Sequence, residues 1–490
     1  VTAPSGESSL LRDLLNTSAA QAVSVALNAL SLIVISRRLG EPSLGAYALE
    51  RRAMALVQPI VLLGITVAIP RYVAGLRPED RADRRAQATS GLSVVTVTAG
   101  ALALAMALLP EPVAAVAFGD EHAVGLARAL AFFVFSTAVY QVVYSTLRGY
   151  MLNGPANLLE LLVVGALPLG AAIAGPRDVA DLVGVLSAAI LLCTAVWAGI
   201  WLRDRIGASV ARVRTAAATQ LRFGIVRTPG DLAVVGLFSL GPVLVAHVGT
   251  PREAGYASVV LSSLNLISIA AIPLSTLLLP RVAAHERAGE ARGSPRYRLL
   301  WNATVDVGIG LCGLLVAASA LIVAVWLPSR PDEAVLAQQL AALGIPGYVV
   351  YLVFRSYLDA LHVRPYSSFA ALAGLAVMAL GLLAVGLEAI EPVVGVSVAT
   401  ALGLTTTGIV TWRLAAPTLE LTGHSTAALP AALWLGSVTA AALALGRGVG
   451  ASALLALIAA GTYAAILGWR RPSWVAALLA RRSRGSEAPA

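Results

Sequence analysis

The sequence predicts an all-α integral membrane protein of about 14 transmembrane helices. Three observations carry that prediction. First, the 490 residues are 58% hydrophobic and 12% charged, with a mean hydropathy of +0.81. A soluble fold of this size does not hide so much apolar surface. Second, the apolar segments run continuously for about 20 residues or more, the length of a spanning helix, without the roughly ten-residue alternation of barrel strands. Third, the 35 basic residues, all of them arginine, gather in short connections between apolar segments, as membrane topology requires.

Taken in order, the expected spans are 17–36, 46–71, 87–109, 124–147, 153–174, 180–202, 226–249, 254–279, 300–327, 335–361, 366–387, 392–414, 427–446 and 449–469. The chain is polar up to Thr17 with no basic stretch before a cleavage site, so the first apolar run is expected to be a mature helix. Arginine placement sets the orientation. Arg71, Arg77, Arg81, Arg84 and Arg85 lie between segments 2 and 3, and Arg203, Arg205, Arg212, Arg214 and Arg222 between 6 and 7. Arg281, Arg287, Arg292, Arg296 and Arg298 lie between 8 and 9, and Arg470, Arg471, Arg481, Arg482 and Arg484 in the tail. The opposite loops are acidic or sparse, as in GDEH at 119–122. Both termini are therefore expected in the cytosol. The basic stretch 206–222 reads as an amphipathic helix on the inner leaflet, and 474–482 as a second one.

The chain contains a weak repeat. VVYSTLRGY at 142–150 matches VVYLVFRSY at 349–357. Gly45 to Pro70 has the spacing of Gly255 to Pro280, and each proline is followed by arginine. An offset of six helices preserves direction across the membrane, so the halves are expected to be parallel repeats. The expected domains are an N-terminal bundle 1–205, a linker 206–222, a second bundle 223–415, an added pair of helices 416–470 and a tail 471–490. Pro59, Pro168, Pro242, Pro273 and Pro346 fall within spans and are expected to bend them, by ordinary packing or as part of a transporter's movement.

Chemistry of other kinds finds no support. Cys193 and Cys312 make no metal spacing, and the five histidines form no ligand pair. No phosphate-binding glycine loop, nucleophile motif or catalytic acidic cluster is present. We expect no enzyme, no cofactor and no metal. The net charge of +9 is spent on topology and does not indicate nucleic acid.

A charge at the bilayer centre costs roughly 2.5–3.5 kcal/mol on insertion scales, so charges inside spans need a reason. Glu50, Arg51 and Arg52 stand where the repeat has Val260, Leu261 and Ser262, so the fold does not demand charge there. Arg51 and Gln58 share a helical face. Arginine suits forked bonds to phosphate, though these residues could equally snorkel to the outer interface. Arg148 and Arg355, with Tyr144, Tyr351, Tyr150 and Tyr357, end helices 4 and 10. They read either as interfacial anchors or as a pair guarding the inner mouth. Arg227 with Asp231, and Arg355 with Asp359, are expected i, i+4 ion pairs. Glu160 is the lone acid nearest a core position, either an ion-coupling site or a hydrogen-bonded interior residue.

RRLGEPSLGAYAL followed by GITVAIPRYVAG resembles the opening of polysaccharide-export flippases of the Wzx type, in the multidrug, oligosaccharidyl-lipid and polysaccharide exporter superfamily. FGIVRTPGDLAVVGLF, GTPREAGYASVVL and PLSTLLLPRVA look like the start of that family's second half. The resemblance covers segments 1–12. It implies translocation of a polyprenyl-phosphate- or pyrophosphate-linked oligosaccharide from the inner to the outer leaflet of the cell membrane, through a cavity between two rocking bundles. Expected partners are that substrate, membrane lipids and glycan polymerase or ligase machinery. Substrate contacts are expected at Arg51, Arg52, Glu50, Gln58, Arg148, Arg355, Tyr144 and Tyr351, and coupling or ion pairing at Glu160, Arg227, Asp231 and Asp359. The alternatives are a proton- or sodium-coupled multidrug extruder of the same superfamily, and a membrane glycosyltransferase or polymerase, for which no large extracytosolic loop is found.

Overall fold

Every regular element described in the computed structural model is a helix. The structure describes residues 6–77, 79–265, 293–327, 331–362, 365–387, 390–420, 428–445 and 448–470, with Ser329 and isolated positions between 267 and 282. Packing divides the chain into two units, Val1–Ser258 and Val259–Ala490. This division is a matter of contacts, whereas the repeat rests on sequence correspondence.

Unit 1 runs α1 (Gly6–Leu39), α2 (Glu41–Leu62), α3 (Ile65–Gly75), α4 (Arg81–Leu108), α5 (Pro110–Phe118) and α6 (Val124–Gly149). It continues through α7 (Asn153–Glu160), a π-helical turn (Leu161–Ala166), α8 (Leu167–Ile173), α9 (Val179–Trp201), α10 (Val210–Ile225) and α11 (Thr228–Val248). Helix α6 is its hub and touches α2, α3, α4, α5, α7 and α9. Small side chains such as Ala127, Ala131, Ser136 and Ala138 are buried on α6 and let those neighbours approach. α12 (Pro251–Asn265) crosses the boundary into unit 2, which contains α13 (Pro295–Ala317), α14 (Ser319–Trp326), α15 (Asp332–Ala342), α16 (Ile345–Leu361), α17 (Tyr366–Gly386), α18 (Pro392–Leu419), α19 (Ala428–Leu445) and α20 (Val449–Arg470).

Among the described residues ten helices are long and apolar enough to span a membrane, and twelve if each of two bent pairs is one span. The chain is thus a multi-pass membrane protein. Of the fourteen expected segments, 427–446 is present as α19, whose apolar stretch Pro430–Leu445 is short. Segment 254–279 is described as helix only to Asn265. Most later positions of that segment, with Pro273 and the tail 471–490, lie outside the described residues.

The bends are local backbone events. α2 and α3 meet at 48°. The break is at Leu63 and Gly64, both left-handed at φ 48° and 67°, four residues beyond Pro59. Left-handed backbone costs Leu63 roughly 1–2 kcal/mol, which packing must offset. Gly224 of α10 sits directly against the Leu63 carbonyl and Gly64, where any side chain would collide with backbone. The second break, 47° between α15 and α16, falls at Leu343 and Gly344, just before Pro346, whose missing N–H leaves the Ala342 carbonyl without its helical partner. Pro242 lies inside an uninterrupted α11.

The expected amphipathic helix at 206–222 is α10. It exposes Val210 and buries Ala216, Gln220 and Gly224. Gln220 Nε2 donates to the Gln87 carbonyl at 2.9 Å and to Gln87 Oε1 at 2.8 Å, tying α10 to α4. The added helices α19 and α20 are joined firmly to α13. Trp434 and Tyr463 stack at 4.4 Å over Gly313 and Gly310. Arg470 reaches Asp306 at 3.2 Å in a buried ion pair, and Tyr463 donates to the Asp306 carbonyl at 2.6 Å.

Gly224→Val is expected to lower the thermal midpoint, because overpacking against backbone that cannot retreat costs roughly 1–3 kcal/mol. Gly154→Val, where a side chain meets open space, is the comparison. Equal melting of the two variants would contradict the account of the break.

Candidate functional site

The polar groups of unit 1 are organised by the fifth expected span. Pro168, in the first turn of α8, has no N–H for the carbonyl four residues earlier, that of Val164. The chain answers with a π-helical turn, in which Leu167 N–H bonds the carbonyl of Leu162, five residues back. Asn28 Nδ2 of α1 then donates to the Val164 carbonyl at 3.1 Å. Gly165 makes room for that approach, packed against the Ser24 backbone and Leu27. The same amide accepts on its other side: Arg51 Nη1 donates to Asn28 Oδ1 at 2.8 Å, with the guanidinium 5.9 Å from the Tyr47 ring centre.

One turn before Val164 stands Glu160, and it begins a second network. Tyr144 OH on α6 donates its one hydrogen to Glu160 Oε2 at 2.9 Å. Its oxygen therefore accepts from Arg148, at 3.2 Å from Nε and 2.9 Å from Nη2. Arg148 Nη2 also donates to Asn157 Oδ1 at 2.9 Å. Tyr140 stacks beside Tyr144 at 5.9 Å. Helix 153–173 thus carries a polar seam from Arg148 through Tyr144 and Glu160 to Val164, Asn28 and Arg51. Both arginines are held by neutral acceptors. Among the described residues no carboxylate lies within ion-pair distance of Arg51 or Arg148, and both residues are half-buried. Below Arg148, Tyr150 OH donates to the Arg205 carbonyl at 2.8 Å. Burial pushes the Tyr150 phenol up, while Arg84, Arg205 and Arg85 pull it back.

The other expected residues have separate places. Gln58 is buried, and its Nε2 donates to Thr137 Oγ1 at 2.6 Å on α6. It joins α2 to α6 and does not share a partner with Arg51. Arg52 donates to the Ser258 carbonyl at 3.2 Å. Glu50 is fully buried, and neither carboxyl oxygen has a hydrogen-bond partner among the described residues. The expected Arg227–Asp231 pair is not formed: the Arg227 guanidinium lies 4.6 Å over the Phe223 ring instead. Nor is Arg355–Asp359 formed. Asp359 accepts from Ser367 Oγ at 2.7 Å on the next helix, and Arg355 has no hydrogen-bond or ion-pair partner among the described residues. A hydroxyl from a packed neighbour satisfies an acid at less entropic cost than a long arginine on the same helix. Tyr351 is buried on α16.

No family model matches this chain, and no curated protein matches it by sequence. Solved structures do match by shape. A lipid II flippase, MurJ, in an inward closed conformation superposes with a TM-score of 0.67 at 12% identity, covering 92% of this chain and 98% of that one. The eukaryotic MATE transporter AtDTX14 gives 0.63 at 15% identity over 88% and 100%. An inward-facing multidrug resistance MATE family transporter of the MOP superfamily gives 0.62 at 15% over 82% and 96%. The chain therefore has the fold shared by a lipid-linked flippase and by MATE transporters of the MOP superfamily.

The carboxyl of Glu50, without a hydrogen-bond partner among the described residues, makes a direct prediction. A buried polar group without partners costs roughly 1–3 kcal/mol. Glu50→Met, similar in length and apolar, is expected to hold or raise the thermal midpoint of the purified protein. A fall of several degrees would mean that the carboxyl is satisfied in the folded protein.

Proposed function

We propose that this protein is a flippase for a polyprenyl-phosphate- or pyrophosphate-linked oligosaccharide, acting by alternating access in the cell membrane. The observation that carries this reading is the seam itself. Arg51 and Arg148 are oriented by an amide, a phenol and a second amide, none of them charged. Orientation without neutralisation leaves positive charge for an anionic headgroup, and guanidinium is matched to phosphate oxygens. Glu160 meets Arg148 only through the Tyr144 hydroxyl, so it tempers the charge without removing it. The fold shared with a lipid II flippase supports the same reading, as does the sequence resemblance to Wzx-type exporters.

In this proposal the headgroup enters from the inner leaflet, the arginines hold the phosphate, and the sugar follows through a hydrophilic path while the polyprenyl tail stays in lipid. The two six-helix halves, 1–205 and 223–415, rock about the linker 206–222, with both termini in the cytosol. Substrate drives this change only to the extent that it binds the two states differently. Glycan polymerase or ligase machinery would take the product outside. Glu50 favours a second reading, a cation-coupled drug extruder, because a buried acid is the group such a cycle uses.

Reconstitution into liposomes with a fluorescent lipid-linked oligosaccharide separates the two. Wild-type protein is expected to move the glycolipid to the opposite leaflet. Arg51→Ala and Arg148→Ala should each slow it about tenfold or more, since a hydrogen bond to a charged group is worth roughly 1.5–3 kcal/mol. Efflux of cationic dyes with no glycolipid movement would replace the flippase reading with the extruder.

A further inference from the structure

Two arginines outside the seam converge on one ring. Arg71 on α3 places its guanidinium carbon 4.7 Å from the centre of the Phe223 ring, and Arg227, just before α11, places its own at 4.6 Å. Tyr72 meets the same ring edge-on at 5.8 Å and 78°, which fixes its plane. Among the described residues neither guanidinium has a hydrogen-bond or ion-pair partner. The two positive centres share one ring and therefore repel each other. Two cation–π contacts to the half-buried ring hold them there. A ring face accepts none of the guanidinium N–H groups in a conventional hydrogen bond, so both forks remain available as donors. Two available guanidinium forks at one point suit an anion.

Depth in the membrane says which kind. Arg71 lies three residues from the end of the bent span Glu41–Ala74, and Arg227 immediately precedes the span Thr228–Val248. Phe223 sits at the end of amphipathic α10, which runs between two spans. All three stand at span ends or between spans, the positions that meet lipid headgroups when such helices cross a membrane. We propose that Arg71, Phe223 and Arg227 form a site for a phosphate group presented by an anionic lipid headgroup. Bidentate donation from two sides fits phosphate oxygens, and the ring keeps the guanidinium planes in place. The site also has mechanical reach. Phe223 is next to Gly224, the residue packed against the break between α2 and α3, so a bound headgroup pins α10 where α2 bends. This site is distinct from the seam and stands whichever substrate the protein carries.

The test is native mass spectrometry of the full-length protein released from nanodiscs made of equal phosphatidylglycerol and phosphatidylcholine. The wild type is expected to retain at least one phosphatidylglycerol under conditions that strip phosphatidylcholine. Arg71→Gln/Arg227→Gln should retain one fewer, and Phe223→Leu, which keeps both charges, should weaken retention about threefold or more. Arg81→Gln/Arg214→Gln removes the same charge from exposed positions elsewhere and should retain the wild-type number. Equal retention by the first double variant, or equal loss by the second, would overturn the proposal. Inorganic pyrophosphate supplies the other arm: if it stabilises the wild type thermally while no phosphatidylglycerol is retained, the ligand is a free anion and the lipid assignment is overturned.

Discussion

Hydrocarbon offers no hydrogen bonds, so backbone polar groups at membrane depth have to be answered from within the chain. The interior of unit 1 can be followed from that one constraint. Proline at 168 removes a donor; the freed Val164 carbonyl draws the amide of Asn28; the other end of that amide holds Arg51. A local imino acid thus orients a cation on another helix, 117 positions away in sequence. The π-helical turn absorbs the geometry of the missing bond. The same helix supplies Asn157 and Glu160, which with Tyr144 fix Arg148. What distinguishes these arrangements from plain ion pairs is that the acceptors are neutral. In unit 2 the Asp306–Arg470 pair shows the opposite solution, a cation cancelled by an acid. It stands where α20 is fastened to α13, a place with no evident need for residual charge.

Backbone contact plays the complementary part. The break between α2 and α3 is held by a left-handed leucine and a glycine seated on Gly224. A bulky residue at either glycine would separate α10 from the bend. This couples an interfacial helix to the helix that carries Glu50, Arg51 and Arg52. Among the described residues Glu50 is the member of that group whose side chain finds no hydrogen-bond partner, which sets it apart from its two neighbours.

Much of the architecture was legible in the sequence, for identifiable reasons. Apolar runs of spanning length and the clustering of arginines depend on transfer free energy, which composition reports directly. The amphipathic helix at α10 was readable because its polar and apolar residues alternate with helical period. The seam was not readable in this way. Tyr144 and Glu160 are on different helices, and Asn28 is an ordinary polar residue in an apolar run; only three-dimensional packing brings them together. Pro168 was visible as a helix-bending residue, but the carbonyl it frees has meaning only beside Asn28. The i, i+4 rule suggested two ion pairs that do not form, since it weighs one helix alone and Ser367 and Phe223 come from elsewhere. Arg51 and Gln58 were read as sharing one helical face, but Gln58 bonds Thr137 of α6 while Arg51 bonds Asn28 of α1, a division that spacing along one helix does not report. The position of the first bend, four residues past Pro59, depends on Gly64 and its contact with Gly224.

The central claim is that the seam presents uncancelled positive charge to an anionic lipid phosphate. Its most direct test is equilibrium binding of geranylgeranyl pyrophosphate to the protein in nanodiscs of neutral lipid, beside the Arg51→Gln/Arg148→Gln variant. The account predicts saturable binding that weakens about tenfold or more in the variant, with no comparable binding of tetraphenylphosphonium. Unchanged affinity in the variant, or binding of the cation alone, would contradict it.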